Sequence, residues 1–398
     1  MNTQTLPLSG IKILDFSRLL PGPWATQMLA ELGAEVIKVE EPITGDPSRH
    51  SYPRYKQNSV YFHATNGSKK SITLDLRKQN GQEVAKRLIE NCDVVVESFR
   101  PGLMTKLGLD YEVASKLNPK VIYCSISGFG KTGSLSHVAG HDLVIQSMTG
   151  LMGCSPDGKA TVPGMQSADF AGSLYCVIAI QAALAQRFKT GVGCDIDLSM
   201  YDSLFNMCLI PLSSTFAKSA GYSGEPRMES FGGNPRYSIY QSKDGKSIAI
   251  TLLEFKIWKE FCTKINRLDL VFQDESPADR LSTHGEKGII YRKALQEYFS
   301  QYTWKEIMDH MVLTGIAIAP VCSPQDAFEL EHVKERGAIN WLNHPDEGRI
   351  PHLVNPLARA GLAIQNHEPA PLLGQDSEEI LKSIGYSEKD IKRLTNHE

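Results

Sequence analysis

Short apolar runs alternate with longer amphipathic stretches through the first half of the chain. The apolar runs are rich in β-branched residues and predict strands, whereas the amphipathic stretches have the periodicity of helices. The predicted strands are "IKILDFS", "AEVIKVE", "SITLDL", "DVVVESF" and "VIYCSISGF", and the helices between them include "PWATQMLAELG" and "GQEVAKRLIENC". This alternation predicts an α/β domain with a doubly wound, Rossmann-like parallel sheet.

Polar and glycine-containing loops follow four of these strands. They are "DFSRLLPGPW", "VEEPITGD", "ESFRPG" and "SISGFGKTG". Ligands of doubly wound sheets bind at the carboxyl ends of the strands. We therefore expect these loops to line one crevice.

The pattern changes after Leu174, where longer helices begin. The stretch "GYSGEPRMESFGGNPR" predicts an exposed linker, and "YSIYQSKDGKSIAITL" predicts a hairpin that turns at Lys243-Asp244-Gly245. Three helical segments then complete a second, smaller domain. The segment "IAIAPVCSPQDAFEL" predicts a strand and a helix that return toward the first domain.

Composition narrows the class of protein. A chain of 398 residues predicts two domains, and its 41% hydrophobic and 22% charged residues are typical of a globular protein. A net charge of −3 without a basic block argues against nucleic-acid binding. The N-terminus lacks a signal-peptide pattern, and no uninterrupted apolar run reaches the roughly 20 residues of a membrane helix. Eight scattered cysteines predict reduced thiols and a cytoplasmic location.

The sequence contains no motif for nucleotide binding, serine hydrolysis or metal binding. Neither "GFGKTG" nor "GGNPR" matches a dinucleotide or phosphate-binding loop, and no G-x-S-x-G nucleophile elbow occurs. His141 and Asp142 are adjacent, but no metal-ligand spacing accompanies them, so no metal is expected. The sequence therefore predicts neither a tightly bound cofactor nor a metal site.

Asp169 stands in "VPGMQSADFAGS", directly before an apolar helical run. Its position favours a helix N-cap, which accepts backbone N–H bonds. The same position suits a carboxylate with a depressed pKa that stays ionised and can act as a nucleophile or base. Residue patterns alone leave both roles open.

Segments spread over nearly the whole chain carry a family resemblance. They are "ILDFSRLLPGPWATQMLAELGAEVIKVE", "NGSKKSITLDL", "VVESFRPGLMTKLGLDY", "VIYCSISGFGKTG", "SADFAGSLYCVIAIQAALAQRFKTGVG", "YDSLFNM", "APVCSPQDAF" and "PLLGQDSEEILKSIGY". In this order they resemble the class III CoA-transferases, or CaiB/BaiF family, which includes formyl-CoA transferases and α-methylacyl-CoA racemases. The resemblance implies an interlocked homodimer. It also implies a large domain of residues 1–215 and 325–398, with a small α+β domain of residues 216–324 inserted between.

The resemblance further implies that coenzyme A or an acyl-CoA is a substrate, held at the strand ends of the large domain. The positions that match family CoA contacts are Arg18, Lys38, Asn66, Lys69, Ser98, Phe99, Arg100, Lys106, Gly128 and Gly130. Lysine and arginine suit the 3′-phosphate and pyrophosphate of CoA. Taken singly, Lys69 and Lys70 are equally typical of solvated surface lysines.

Three positions depart from the formyl-CoA transferases. Ser98 replaces asparagine, Lys106 replaces arginine and His141 replaces tyrosine. The long insertion with a glycine-rich loop that shields the intermediate of those enzymes is also missing. The resemblance therefore does not extend to oxalate or formate as substrates.

Two reactions fit the resemblance. In a CoA-transferase, Asp169 attacks an acyl-CoA to give a mixed anhydride and then an aspartyl-CoA thioester, from which a small carboxylic acid takes the CoA. In an α-methylacyl-CoA racemase, His141 and Asp169 move the α-proton, and Glu254 in "LLEFKIW" supports them. The segments "SVYFHATNGSKKS" and "PLLGQDSEEIL" favour the transferase. A non-catalytic CoA-binding protein is disfavoured because the aspartate is present.

Overall fold

The computed structural model describes residues 5–154, 159–224, 231–311 and 315–395. These residues form two compact units. The first contains the described residues of Met1–Gln146, Gly164–Asn206 and Glu331–Glu398, and the second those of Ser147–Pro163 and Met207–Leu330. The second unit thus begins nine residues before the boundary expected at residue 216, and it includes the segment 147–163, which was expected in the large domain.

A six-stranded parallel sheet forms the centre of the first unit, in the order β3-β2-β1-β4-β5-β6. The strands are β1 (Lys12–Asp15), β2 (Glu35–Glu40), β3 (Lys70–Thr73), β4 (Val94–Glu97), β5 (Ile122–Ser127) and β6 (Cys194–Ser199). The central strand β4 is buried throughout, which explains its continuous apolar run. The predicted doubly wound α/β sheet is confirmed, and the strand order reverses between β1 and β4.

Helices cover this sheet. They are α1 (Pro21–Glu31), α2 (Val60–Asn66), α3 (Gln79–Glu90), α4 (Leu103–Leu107), α5 (Tyr111–Leu117), α6 (Asp142–Met148), α7 (Ser167–Thr190) and α8 (Met200–Met207). α1 packs on α7 through an edge-to-face contact of Trp24 with Phe170, whose ring centroids are 4.8 Å apart. The Ser173 hydroxyl also donates to the backbone oxygen of Pro21 at 2.8 Å. These contacts join the first two turns of α7 to the first turn of α1.

The C-terminal part of the chain completes the first unit. Its elements are α14 (Glu331–Glu335), the antiparallel strands β10 (Ile339–His344) and β11 (Gly348–Leu353), α15 (Ser377–Ser383) and α16 (Glu388–Thr395). Ile380 and Ile391 lie in the same hydrophobic core as Leu14 and Val95 of the sheet. The two ends of the chain therefore share one core.

The second unit contains a three-stranded antiparallel sheet in the order β7-β8-β9. Its elements are α9 (Leu209–Ser219), β7 (Tyr237–Gln241), β8 (Ser247–Thr251), α10 (Phe255–Lys264), α11 (Gly285–Phe299), α12 (Trp304–Met311), β9 (Ile318–Pro320) and α13 (Pro324–Glu329). The predicted hairpin is confirmed, and Gly245 takes a φ of +74° in its turn. The core packs around Trp258, Phe261 and Phe299.

Two sequence expectations in this unit hold only in part. The strand β9 pairs with β8, where Ile318 lies opposite Ile250, and it lies within the residues 216–324 expected for the small domain. The helix α13, which was expected in the large domain, also belongs to this unit. The expected linker, residues 221–236, is exposed at residues 221–223 but buried at its C-terminal end. Arg236 is fully buried, and its guanidinium bonds both carboxylate oxygens of Glu275 at 2.8 and 2.9 Å. Residues 225–230 of that linker lie outside the described residues.

One described helix, the 24-residue α7, is long and apolar enough to cross a membrane by length and composition. This differs from the sequence expectation that no such segment exists. Of the most apolar part of this helix, 39% is buried within the protein. Core helices of globular proteins meet the same criterion, so the helix is weak evidence for a membrane.

Candidate active site

The N-terminal turn of α7 carries Asp169, but Asp169 is not its cap. The helix begins at Ser167, so Asp169 is its third residue, and the N-cap residue Gln166 makes no side-chain capping bond. The carboxylate of Asp142 takes this role, because its Oδ1 accepts from the backbone N–H groups of Ala168 at 2.8 Å and Asp169 at 3.3 Å. The prediction that Asp169 caps the helix is wrong.

Gln146 holds Asp142 in place from one turn further along α6. Its side-chain amide donates to Oδ2 of Asp142 at 2.6 Å and to the backbone oxygen of Met165 at 2.9 Å. Gln146 is fully buried, so these bonds are shielded from water. Gln146 and Asp142 together connect α6 to the start of α7.

This arrangement sets the pKa of Asp169. Burial and the nearby negative charge of Asp142 raise the pKa of the Asp169 carboxyl from 3.8 to about 7. The expected depression of this pKa is therefore wrong. At neutral pH the free protein contains both the protonated acid and the carboxylate, and the carboxylate is more basic than an ordinary aspartate.

Tyr61 on α2 belongs to the same surroundings and was missed in the sequence. Burial, followed by the charges of Asp169 and Asp46, raises the pKa of the Tyr61 hydroxyl far above its usual range. The tyrosine therefore stays protonated and can donate a hydrogen bond. Nothing in its local pattern distinguishes it from any aromatic residue of an amphipathic helix.

Asp169 opens into a cleft of about 310 Å³ at the carboxyl ends of the parallel strands. The sequence-predicted site residues that line this cleft are Arg18, Ser98, Phe99, Arg100, Gly128, His141 and Asp169. They come from the loops after β1, β4 and β5 and from the N-termini of α6 and α7. Among the described residues, Asp169 is the one acidic side chain in the lining.

A second cavity of about 330 Å³ lies beside the cleft, above β1, β2 and β3. Its apolar lining consists of Phe16, Val39, Leu74, Leu76, Phe99, Leu103 and Leu107. Its charged lining consists of the basic residues Arg18, Lys38 and Arg77 and the acidic residues Glu40, Glu41, Asp46 and Asp75. We call it the nucleotide cavity, and the cleft at Asp169 the acyl cleft. The two share two residues, Arg18 and Phe99.

Arg18 and Phe99 form a stacked pair at the point where the strand order reverses. The Arg18 guanidinium lies 4.7 Å from the centroid of the Phe99 ring. The backbone N–H of Arg18 donates to the Ser98 hydroxyl at 3.0 Å. Such cation–π contacts hold an arginine in place while leaving its N–H groups free. Ligands of doubly wound sheets bind at this switch point.

Lys69 and Asn66, which were expected to contact CoA, are buried beneath the site. The Lys69 ammonium donates to Asp15 at 3.0 Å, to the backbone oxygen of Pro23 at 2.8 Å and to Asn66 at 2.9 Å. These bonds use all three of its donors. In this structure Lys69 has none left for a phosphate, and it is not a solvated surface residue.

Lys38 is also fully buried, although it lies in the wall of the nucleotide cavity. Its ammonium contacts the backbone oxygen of Ser17 and the carboxylate of Asp46, both at 2.9 Å. Burial alone would lower the pKa of this lysine, but the charges of Asp46 and Asp15 outweigh it and raise the pKa. Lys38 therefore remains a cation within a network of buried ion pairs.

The remaining predicted residues lie outside both cavity linings. Lys106 is exposed on α4, and Gly130 has a φ of +82° in the loop after β5, which only glycine adopts readily. Glu254 is the N-cap residue of α10 in the second unit and makes no side-chain capping bond. Within the described part of the chain, no group of three or more His, Cys, Asp or Glu side chains is arranged to hold a metal ion.

A six-stranded parallel sheet with two neighbouring cavities at its strand ends defines the fold class, and comparison with known proteins defines the family. The model of CoA-transferase family III matches residues 8–377. The chain is 34% identical over 394 residues to the succinyl-CoA:glutarate CoA-transferase of Mus musculus, with 98% of this chain and 89% of that protein covered. It is 31% identical over 397 residues to the succinate–glutarate CoA-transferase of Agrobacterium fabrum, with 96% and 97% covered.

A solved structure agrees with these relatives. A CaiB/BaiF family protein from Brucella suis is 31% identical and matches with a TM-score of 0.82, over 96% of this chain and 100% of that chain. The chain belongs to CoA-transferase family III. The family resemblance inferred from the sequence is thereby confirmed.

Proposed function

We propose that the protein transfers CoA between an acyl-CoA and a small carboxylic acid, with Asp169 as the covalent nucleophile. The observation that carries the proposal is the position of Asp169, a carboxylate with a raised pKa in a cleft that shares Arg18 and Phe99 with a second cavity. Membership of CoA-transferase family III supports it.

The two cavities accommodate the two ends of an acyl-CoA. The adenosine lies in the nucleotide cavity, against leucines such as Leu74 and Leu103. Arg18 and Arg100 are exposed beside the cavities and supply charge-assisted bonds to the phosphates. The pantetheine arm passes the pair of Arg18 and Phe99, and the thioester carbonyl reaches Asp169. CoA is thus a substrate here, not a resident cofactor.

The reaction proceeds in four covalent steps. The Asp169 carboxylate attacks the thioester carbonyl, and the CoA thiolate leaves as a mixed anhydride forms. The thiolate then attacks the Asp169 carbonyl, which releases the donor acid and leaves an aspartyl-CoA thioester. The carboxylate of the acceptor acid attacks this thioester and frees the thiolate again. Attack of the thiolate on the acceptor's own carbonyl gives the new acyl-CoA and restores Asp169.

The raised pKa of Asp169 assists the first step. A carboxylate with a pKa of about 7 is a stronger nucleophile than one at 3.8, and it is still mostly ionised at pH 8. Asp142 contributes to this shift while it holds the backbone of the turn. The anhydride must also be protected from water, which the half-buried position of Asp169 favours.

We assign dicarboxylic acids as the substrate class. Two curated relatives are named for succinyl-CoA or succinate and glutarate, which are dicarboxylic species. With Arg18 and Arg100 assigned to the phosphates, His141 lines the acyl cleft beside its single acidic residue, Asp169. A ring N–H of this histidine can donate to an acceptor that brings a second carboxylate.

The protein is further proposed to be a homodimer. Ile178 and Phe188 on α7 are exposed to 60% and 93%, which is unusual for an apolar helix of a monomer.

We also propose a reducing, cytoplasmic environment. All eight cysteines are free thiols, as a reducing compartment requires.

Trapping the intermediate tests the mechanism. The protein is incubated with succinyl-CoA and hydroxylamine, digested and analysed by mass spectrometry. We expect a hydroxamate at Asp169 in the wild type and none in Asp169→Asn, which should also lose transfer to glutarate by at least about 10³-fold. An unmodified Asp169 during continued turnover contradicts the covalent mechanism.

Racemisation of a 2-methylacyl-CoA is the second candidate, because His141 and Asp169 line the same cleft. A racemase must exchange the α-proton with solvent in the absence of an acceptor acid. Incubation of a 2-methylacyl-CoA in D₂O therefore separates the two reactions. Exchange that disappears in His141→Ala supports the racemase, whereas no exchange together with CoA transfer excludes it.

A further inference from the structure

Glu97 is a buried carboxylate that lies outside both the acyl cleft and the nucleotide cavity. It is the last residue of β4 and is 6% exposed. Its Oε2 accepts a hydrogen bond from the backbone N–H of Phe99 at 2.8 Å. The side chain thus closes the turn by which the chain leaves the sheet, and that turn carries Ser98, Phe99 and Arg100.

The same turn determines where Arg18 stands. Ser98 accepts from the backbone N–H of Arg18 at 3.0 Å, and the Phe99 ring lies 4.7 Å from the Arg18 guanidinium. Since Arg18 and Phe99 line both cavities, a shift of the turn changes the wall of each cavity where they adjoin.

We infer that Glu97 is a positioning residue for CoA binding. By fixing the backbone N–H of Phe99, it sets the stacked pair of Arg18 and Phe99 that the pantetheine arm must pass. This inference rests on the proposed function, since it assumes that CoA spans the two cavities. It assigns Glu97 no part in the chemistry, because the carboxylate touches neither cavity.

The burial of Glu97 supports a dedicated role. Burial raises the pKa of its carboxyl group, which means that placing this acid here costs free energy. An apolar residue of similar size would avoid that cost but could not accept from Phe99. The hydrogen bond that the Glu97 carboxylate accepts from the backbone of Phe99 offsets this cost.

Binding of free CoA, measured by isothermal titration calorimetry, tests the inference with two variants. Glu97→Met keeps the length of the side chain and removes the acceptor, so we expect the dissociation constant of CoA to rise about 10-fold or more. Glu97→Gln keeps an oxygen that can accept from Phe99 and should stay within about 3-fold of the wild type. At saturating acyl-CoA, kcat should change less than about 2-fold in either variant.

Glu31→Met is the matched control. Glu31 is also a buried carboxylate, 4% exposed, and it accepts from Asn355 at 2.8 Å, but it lines neither cavity. Its loss should lower the melting temperature and leave the CoA dissociation constant unchanged. This control separates general destabilisation from a local effect on binding.

A double-mutant cycle identifies the route through Phe99. If Glu97 acts through this residue, Glu97→Met should weaken CoA binding less than about 3-fold in a Phe99→Ala background. The inference is overturned if Glu97→Met binds CoA as tightly as the wild type, or if the two effects multiply fully. A wild type that does not bind CoA contradicts the proposed function itself, which is a separate outcome.

Discussion

Asp142 and Asp169 act as a pair, and their separation in sequence hides this. One carboxylate holds the N-terminal turn of α7, and its charge raises the pKa of the other to about 7. A residue-by-residue search finds Asp169 beside an apolar helix and assigns it the capping role. The real cap lies 27 residues earlier, and only the fold brings it to this turn.

The pH dependence of catalysis follows from the pair. In the proposed mechanism Asp169 attacks as the carboxylate, so kcat/KM should rise with pH and level off above about 7 in the wild type. Asp142→Asn still accepts from the backbone of α7 but loses its charge, so the rise should move to lower pH by about one unit. Initial rates between pH 5 and 9 measure this. An unchanged profile in the variant would assign the titration to another group.

The free energy of unfolding should depend on the same pKa in the opposite direction: it should fall as the pH rises, whereas kcat/KM rises. The folded pKa of about 7 exceeds the ordinary 3.8, so the folded protein holds this proton more tightly than the unfolded chain. The resulting stabilisation is present at low pH and is lost as the pH rises through about 7. Asp169→Asn cannot ionise. Relative to the wild type, its free energy of unfolding should therefore rise by about 2 kcal/mol between pH 5 and 7 and level off just above pH 7.

Urea unfolding at several pH values tests this prediction. A constant difference between variant and wild type across the range would show that Asp169 has an ordinary pKa in the folded protein. The expected result makes Asp169 a residue whose presence lowers stability in favour of activity.

At the scale of elements, a cluster of buried ion pairs joins the carboxyl ends of β1 and β2 to the residue that precedes β3. Lys69 contacts Asp15, Lys38 contacts Asp46, and Arg49 contacts Glu40 at 2.7 Å. Burial would raise the pKa of Asp15, but the charges of Lys69 and Lys38 and the hydroxyls of Ser17 and Thr26 lower it to about 2. The cluster holds the loop after β1, which carries Arg18.

The neighbouring lysines 69 and 70 allow a matched test of this cluster. Lys69→Met leaves the buried carboxylate of Asp15 without its cation and should lower the free energy of unfolding by about 3–5 kcal/mol. Lys70→Met removes ion pairs to Glu35 and Glu379 from a side chain that is 37% exposed, and should cost less than about 1 kcal/mol. Denaturant titration compares the two. If Lys69→Met lost CoA binding without losing stability, a direct phosphate contact would be the better explanation.

Strands and helices of the first unit were largely predictable, because each apolar run is local and the six parallel strands are separated by helices. Elements of the second unit were less so. The strand β9 pairs with β8, more than 65 residues earlier in the chain, and the residues next to β9 in sequence do not specify that partner. Arg236 was placed in an exposed linker because its glycine-rich surroundings resemble one, whereas Glu275 makes its burial possible.

The same limit applies to the candidate site. The family resemblance placed Asp169, His141 and Arg18 together, and they do line one cleft. It did not show that Lys69 is already fully bonded within the protein, because hydrogen-bond saturation depends on groups from three separate segments. Sequence reasoning thus identified the residue types of the site better than their protonation or availability.

For the whole molecule, the proposed homodimer gives a direct expectation. Sedimentation equilibrium should yield about twice the chain mass of 44.0 kDa. Ile178→Glu places a charge on the exposed apolar side of α7 and should shift the protein toward monomer, whereas Gln181→Glu, at an exposed polar position of the same helix, should not. A wild type that sediments at the mass of one chain contradicts the dimer.

The core shared by the two chain ends has a consequence for biosynthesis. Leu14 and Ile391 belong to the same cluster, so this core cannot close while the last part of the chain is still inside the ribosome. Most of the second unit is a continuous stretch, residues 207–330, and it emerges earlier. The six-stranded sheet must therefore wait, with β1 to β6 already synthesised, until the final helices have been made. Chaperones that shield apolar strands have their clearest role during that interval.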